Sequence, residues 1–321
     1  MEGVKPLLRA MRYGWLFRTA RRRANRASGE RLGSLPSPPV FLVGCGRSGT
    51  TALGDVLAAH PSVRYLFEPY HLWAAMDPIT DATHLYTRGY ARCVLDGSHL
   101  VPKARPRFAS LFLSDMLARE RLLLVEKTPI NAMRIGYLTA LVPDARFVHI
   151  VRDGAEVARS IERVAASSYR IAFRPNYNAW WGVNSYKWTA LARDGAETGH
   201  HGGELGSLAT DLQRGAYEWL VSLREVDRWR PRLGPRLAEI NYGRLVEDPG
   251  KTLLSLCTTL GLQADERWLI PAARSISVPA RKDPKRASIT LPPGMARDFN
   301  RLQERFGFRG RAFPVGSQSV V

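Results

Sequence analysis

The run VFLVGCGRSGTT, Val40 to Thr51, decides how the rest of the chain is read. A short apolar stretch of strand length passes into Gly44, Gly46 and Gly49, and Thr50 and Thr51 then open a helical pattern. A strand that turns through glycines into a helix points several backbone N–H groups at one place, and the helix dipole adds positive potential there. The glycines permit the turn and a close backbone approach, while Ser48, Thr50 and Thr51 add hydroxyl donors. The stretch therefore reads as an anion cradle.

A nucleoside-triphosphate loop reads G-x-x-x-x-G-K-[ST]. Gly44 and Gly49 fill its glycine positions, but Thr50 stands where the lysine belongs, and the basic residue sits earlier, at Arg47. In an NTPase that lysine reaches the β- and γ-phosphates and the next Ser/Thr holds magnesium. Without it, and with no apolar strand ending in a lone Asp to complete a metal site, ATP or GTP hydrolysis is disfavoured. Arg47, at the crown of the loop, is expected to meet a terminal group lying outside it.

Outward from the loop, apolar runs of strand length recur at 40–44, 63–67, 122–126, 146–151 and 237–242. Helical stretches lie between and beyond them, at 50–59, 108–120, 130–141, 154–165, 213–229 and 250–260. Alternation of this kind argues a parallel sheet with helices on both faces. With the loop, the expected fold class is α/β: a P-loop-NTPase-like three-layer fold with a central parallel sheet flanked by helices. Asp248-Pro249 marks a helix start, an N-cap followed by proline at the first helical position. Residues 194–207 read as a flexible loop.

The chain has 321 residues, 47 basic against 29 acidic, for a net charge of +18. Residues 1–35 hold nine Lys/Arg and two acids, and residues 281–311 hold nine and three. Such a balance suggests anionic partners. Cys45, Cys93 and Cys257 are scattered, with no C-x-x-C pair and no histidine cluster at metal spacing, so a reducing compartment fits and no metal is expected. No apolar run approaches the roughly 18 residues needed to span a bilayer, and Arg9, Arg12 and Arg18 interrupt any signal-peptide core. The expected location is cytoplasmic, with the inner face of a membrane as an option. Residues 1–39 read as a basic N-terminal extension ending in the linker SLPSPP, with one main domain over 40–321. Val4, Leu7, Leu8, Met11 and Trp15 recur at helical spacing and Arg21-Arg22-Arg23 follows, a pattern open either to packing or to peripheral membrane contact through residues 1–23.

GCGRSGTT resembles the 5′-phosphosulfate loop of sulfotransferases that use 3′-phosphoadenosine 5′-phosphosulfate (PAPS). The resemblance covers about residues 40–275. It implies that Gly46, Arg47, Ser48, Gly49, Thr50 and Thr51 hold the 5′ end of the cofactor. The strand RFVHIV followed by Arg152, with Ser160 eight residues later, resembles the family's 3′-phosphate motif. The spacing makes physical sense, because an arginine leaving a sheet edge offers a bidentate fork and a helix brings a hydroxyl to the same phosphate. The alternative for Arg152-Asp153 is a local ion pair. EKTPINAMRIGYLTALVPDARF (126–147) and EINYGRLVEDPGKTLLSLCTTLGL (239–262) are similar to two further family segments. The second implies that Tyr242 helps hold the adenine, although Gly243-Arg244 replaces the usual acidic pair. ARKDPKRAS (280–288) resembles an Arg-Lys-Gly clamp on the 3′-phosphate, with Asp283 in place of glycine; Arg281 and Lys282 are the residues concerned.

Sulfuryl transfer needs a nucleophile in line with the leaving phosphate, positive groups where charge builds, and a base for the acceptor proton. Arg47 and Lys127 are the expected cations; Lys127 follows a strand and should project from the sheet's carboxyl edge. HPSVRYLFEPYHLW (60–73) is similar to a stretch of carbohydrate and tyrosylprotein sulfotransferases in which a glutamate is the proposed base, which implies that role for Glu68. An ion pair is its alternative, and His71 is the reserve. His149 reads as a core histidine, and His200-His201 as solvated. Trp180, Trp181, Tyr186 and Trp188 read equally as acceptor walls or as core. The favoured function is transfer of a sulfuryl group from PAPS to a carbohydrate, lipid or small-molecule hydroxyl, leaving adenosine 3′,5′-bisphosphate, with no nucleic-acid partner. The alternatives are an NTP-dependent kinase or GTPase on the same loop, and a basic module binding membrane or nucleic-acid surfaces.

Overall fold

The computed structural model describes residues 4–28, 37–114, 123–167, 176–276 and 288–315. Helix α1 (Val4–Arg26) precedes strand β1 (Val40–Val43), which enters α2 (Thr50–Ala58) through the glycine loop. β2 (Val63–Phe67), α3 (Tyr70–Met76) and α4 (Ala104–Phe108) follow. Next come β3 (Leu123–Lys127), α5 (Ile135–Leu141), β4 (Arg146–Val151) and α6 (Gly154–Ala165). A small hairpin, β5 (Tyr177–Asn178) and β6 (Gly182–Val183), leads to α7 (Tyr186–Glu197) and the long α8 (Asp211–Leu233). After β7 (Leu237–Asn241) run α9 (Tyr242–Glu247), α10 (Pro249–Leu260) and α11 (Glu266–Ser275). A last β-α-β unit is formed by β8 (Ser288–Leu291), α12 (Pro293–Arg305) and β9 (Arg311–Pro314).

The central sheet has the order β2-β3-β1-β4-β7, and its pairings are all parallel. β1 is buried along its length because both faces are covered. Its side chains divide by the two-residue period of a strand: Val40 and Leu42 pack with Leu53, Leu253 and Trp268 on one face, and Phe41 and Val43 with Trp73, Phe108 and Leu138 on the other. Three layers result. α1 lies on the second side, against α3 and residues 109–113. Local sequence fixes several helix ends. Asp248 accepts from the Lys251 N–H at 3.0 Å with Pro249 behind it, and Thr210 and Gln213 form a reciprocal capping box at the start of α8.

The five sheet strands fall where the apolar runs put them, within one or two residues. Elsewhere the structure departs from expectation. The helix expected over 108–120 is α4 followed by a π-type turn over 109–113, which sets the Phe112 ring 4.7 Å from those of Phe108 and Trp73; residues beyond 114 in that stretch lie outside the described ones. The helix expected from 130 opens as a 3₁₀ segment over 129–134 and becomes α-helical at Ile135. Residues 194–207 are the end of α7 and a 3₁₀ turn over 202–207. His200 and His201 are not solvated: His200 pairs with Glu225 and His201 with Asp298, each at 2.8 Å. Their carboxylate partners come from α8 and α12, far away in sequence, and they convert a polar stretch into packed structure.

Candidate active site

The cradle is built as its residue types require. Arg47 (φ +72) and Gly49 (φ +99) take left-handed backbone conformations, and the Ser48 N–H closes the turn onto the Cys45 carbonyl at 3.1 Å. No described side chain caps α2, so its first-turn N–H groups face the space over the loop. Ser48 is buried, yet its Oγ has no hydrogen-bond partner among the described residues. A Cβ on Gly46 would strike the Trp180 ring, and one on Gly49 the Tyr242 ring. An uncapped helix start, an orphaned hydroxyl and bare backbone between two aromatic rings are the features a phosphate group fits.

Lys127 ends β3. Along that strand Leu123 and Val125 face α2, Leu124 faces the opposite layer, and Lys127 continues the first side. Its ammonium, fully buried, donates to Glu68 Oε1 at 2.5 Å and Thr51 Oγ1 at 3.1 Å, and sits 3.9 Å over the Phe67 ring. Glu68 follows β2 with φ +41, a costly conformation for a residue with a side chain, of order 1–3 kcal/mol. It is held there from both sides: its N–H donates to the Lys127 carbonyl at 2.8 Å, and its own carbonyl accepts from the Tyr70 N–H at 2.7 Å. Glu126, one residue before Lys127, accepts from Trp73 Nε1 at 2.8 Å, Asn131 Nδ2 at 3.1 Å and the Thr128 hydroxyl. Complete burial pushes its carboxyl up to about 7, against the pull of those hydrogen bonds. The network fixes the turn that follows Lys127.

Arg152 leaves β4 between two partners, with Nε on Glu156 at 3.0 Å and Nη1 on the Arg47 carbonyl at 3.3 Å, its guanidinium 4.6 Å over the Tyr242 ring. Its ion pair is thus with Glu156 rather than Asp153. Asp153 caps α6 instead, accepting from the Ala155 N–H at 2.9 Å, and also accepts from the Gly310 N–H and Gln303 Nε2 of the C-terminal unit at 2.8 and 3.0 Å. Ser160, two turns along α6, accepts from Arg47 Nε at 3.0 Å. Arg47 therefore joins the Arg152–Ser160 side of the loop, and its hydrogen bond does not run to the Lys127–Glu68 pair.

Gly46, Arg47, Gly49, Thr50, Thr51, Glu68 and Arg152 line one cavity of about 340 Å³. Ser48, Lys127, Ser160 and Tyr242 stand in its supporting layer, bonded to or packed on those residues. Arg281 and Lys282 lie outside the described residues. His71 does not line the cavity; burial lowers its pKa. Of the aromatic cluster, Trp180 lines the cavity, Trp181 is core with Nε1 on Asp211 at 2.8 Å, Trp188 packs edge-on against it, and the Tyr186 ring stacks on His84. His149 is core, bonded to Glu239 at 3.1 Å.

Three wall residues escaped the sequence reading as a unit. Lys187 and Glu218 form a buried ion pair at 2.8 Å, Trp180 Nε1 donates to the same carboxylate at 2.7 Å, and the Lys187 ammonium lies 4.2 Å from the Trp180 ring. The available signal was a charged residue inside the apolar run AYEWLV of α8. Among the described residues, no group of three or more His, Cys, Asp or Glu side chains is arranged to hold a metal ion.

Among curated proteins, nodulation protein NoeE of Sinorhizobium fredii (strain NGR234) is 30% identical over 128 residues, which is 38% of this chain and 30% of that protein. The chain thus matches less than a third of that relative's length. Among solved structures, the sulfotransferase domain of the Synechococcus PCC 7002 olefin synthase is similar over 87% of this chain and 98% of its own, at 23% identity and a TM-score of 0.47. The sulfotransferase STF1 of Mycobacterium tuberculosis H37Rv is similar over 91% and 81%, at 16% identity and a TM-score of 0.45. The family model described as "Sulfotransferase family" matches residues 38–266, well over half of the chain and the whole span from the cradle to α10. The chain belongs to the sulfotransferase family.

Proposed function

We propose that this protein transfers the sulfuryl group of PAPS to a hydroxyl of a carbohydrate, lipid or small-molecule acceptor. The observation that carries the reading is the convergence of the glycine cradle, Arg152 and the Lys127-bonded Glu68 on one cavity. PAPS brings the sulfuryl group on its 5′-phosphate. The backbone from Gly46 to Thr51 and the hydroxyls of Ser48, Thr50 and Thr51 hold that phosphate. Arg152 and Ser160 bind the 3′-phosphate, Tyr242 flanks the adenine, and Arg281 and Lys282 belong to the 3′ contact on the strength of their sequence. Lys127 and Arg47 offset charge that builds as the bond to the leaving phosphate breaks. Glu68 takes the acceptor's proton at its carboxylate, and Trp180 and Tyr177, which both line the cavity, wall the acceptor's space.

The finer fold reading, P-loop-NTPase-like, is supported by the strand order and by a cradle that follows the middle strand of the sheet. The division into a basic extension (1–39) and a catalytic domain (40–321), and a cytoplasmic location with peripheral membrane contact through residues 1–23 as an option, complete the proposal. No described helix is long and apolar enough to cross a bilayer.

The test is a thermal-shift titration with adenosine 3′,5′-bisphosphate in magnesium-free buffer, compared with 5′-AMP and with ATP plus magnesium. A ligand of the folded state at about 100 times its Kd adds roughly 2.7 kcal/mol of stability. Stabilisation by the bisphosphate alone is expected. A response confined to ATP with magnesium overturns the reading in favour of a kinase.

A further inference from the structure

Helix α1 carries eight Lys/Arg and no acidic residue in 23 positions. It packs by one face: Ala20 and Ala24 are buried, and Phe17 and Tyr13 meet the Tyr86 ring at 5.3 and 6.4 Å. The opposite face is open. Met11 is 59% and Trp15 61% exposed, and Arg18, Arg22 and Arg26 are exposed beyond them. At 100° per residue, Met11, Trp15, Arg18 and Arg22 share an arc of about 60°. Beside this arc, at the seam between α1 and the domain, is a cavity of about 360 Å³. Arg21, Arg88 and Arg107 line it with Phe17 and Tyr86, and among the described residues no carboxylate is in its walls and Arg107 Nε, buried, has no hydrogen-bond partner.

We propose that α1 docks the protein peripherally on an anionic lipid bilayer. Trp15 and Met11 enter the interfacial layer, Arg18, Arg22 and Arg26 meet lipid phosphates, and the arginine-lined seam takes one phosphate headgroup, with Phe17 and Tyr86 against its glycerol and upper acyl carbons. An acid-free helix with an exposed tryptophan among arginines combines the two terms that hold interfacial helices, apolar insertion and attraction to anionic lipid. A nucleic-acid backbone would satisfy the arginines and leave Trp15 and Met11 without an apolar layer. This deepens the membrane part of the proposed function and rests on that reading only there.

The full chain is co-sedimented with vesicles of phosphatidylcholine alone and of phosphatidylcholine with phosphatidylglycerol, at physiological salt. Binding to the mixed vesicles and not to the neutral ones is expected. The double variant Arg18→Gln/Arg22→Gln should weaken partitioning about five-fold for each arginine, the equivalent of about 1 kcal/mol apiece. Met11→Ser/Trp15→Ser should weaken it as well, although charge is unchanged, and Arg21→Gln/Arg88→Gln should lower the preference for anionic vesicles. All six side chains are at the surface of α1 or its seam, and an unchanged melting temperature and unchanged response to adenosine 3′,5′-bisphosphate show that the variants fold. No binding to anionic vesicles overturns the proposal. So does binding that Met11→Ser/Trp15→Ser leaves intact, and so does equal affinity for duplex DNA at the same salt. Loss of the bisphosphate response in wild-type protein that still binds vesicles would refute the transfer reading and support this one.

Discussion

Replacing Arg152 by alanine tests the 3′-phosphate assignment without knowledge of the acceptor. In the structure its guanidinium makes three interactions: the ion pair with Glu156, the hydrogen bond to the Arg47 carbonyl, and the stack on Tyr242. The ion pair is partly exposed, with side-chain exposures of 23% and 22%, and is a helix-terminal i,i+4 pair, so its loss should cost about 0.5 kcal/mol of stability. The other two contacts are of similar rank, and the melting temperature should fall only slightly. Ligand binding should respond differently. A charge-assisted hydrogen bond is worth about 1.5–3 kcal/mol, so removing a fork that grips a dianionic phosphate should weaken adenosine 3′,5′-bisphosphate about 10- to 150-fold. The same nucleotide without its 3′-phosphate should lose less than about three-fold, from the altered Tyr242 face alone. Isothermal titration of both ligands against both proteins gives the coupling directly. Equal losses for the two nucleotides would refute the reasoning, because Arg152 would then act through the loop and Tyr242 and not through the 3′-phosphate.

Glu68→Gln should lower turnover with a responsive acceptor by about 10²–10⁴ while single-turnover cofactor binding persists; turnover within three-fold of wild type would give the base to another group. Glu218→Gln leaves the buried Lys187 ammonium unpaired and frees Trp180 from one anchor, so it should cost about 3–5 kcal/mol in chemical denaturation, whereas Lys187→Met/Glu218→Leu should recover most of that. Additive losses would show that the pair is not coupled. Glu126, held at about 7 by burial, binds its proton more tightly folded than unfolded. Its contribution is therefore full below about pH 4 and is lost as pH rises through 7, a change of the order of 3 kcal/mol. Glu126→Gln should flatten the stability profile over that window, and an unchanged slope would count against the buried, proton-holding carboxyl.

The inner strands β3, β1 and β4 were legible because they are buried on both faces, which leaves short apolar runs that periodicity alone can find. The cradle was legible for a related reason: φ above zero at Gly49 and the aromatic rings against Gly46 and Gly49 admit no side chain, so the glycines are written into the sequence at fixed spacing. The placement of Arg152 at a strand end and of Ser160 on the helix after it was legible because strand end and helix turn set their separation locally. Residues that meet only through the third dimension were not. The end of a strand marked Lys127 as a cation at the sheet's carboxyl edge, but only the parallel pairing of Leu42 with Lys127 brings its ammonium to Thr51 and Glu68. Nothing local marks Lys187, Glu218 and Trp180 as partners, since two helices and a hairpin must pack before their charges meet. The open face of α1 is a similar case. Helical spacing determined its apolar and basic stripe, but which side of that helix turned to the domain was decided by where Ala20, Ala24 and Phe17 found room to pack. Sequence by itself set the strands, the cradle and the charge; burial across distant segments decided which of the charged groups stand together.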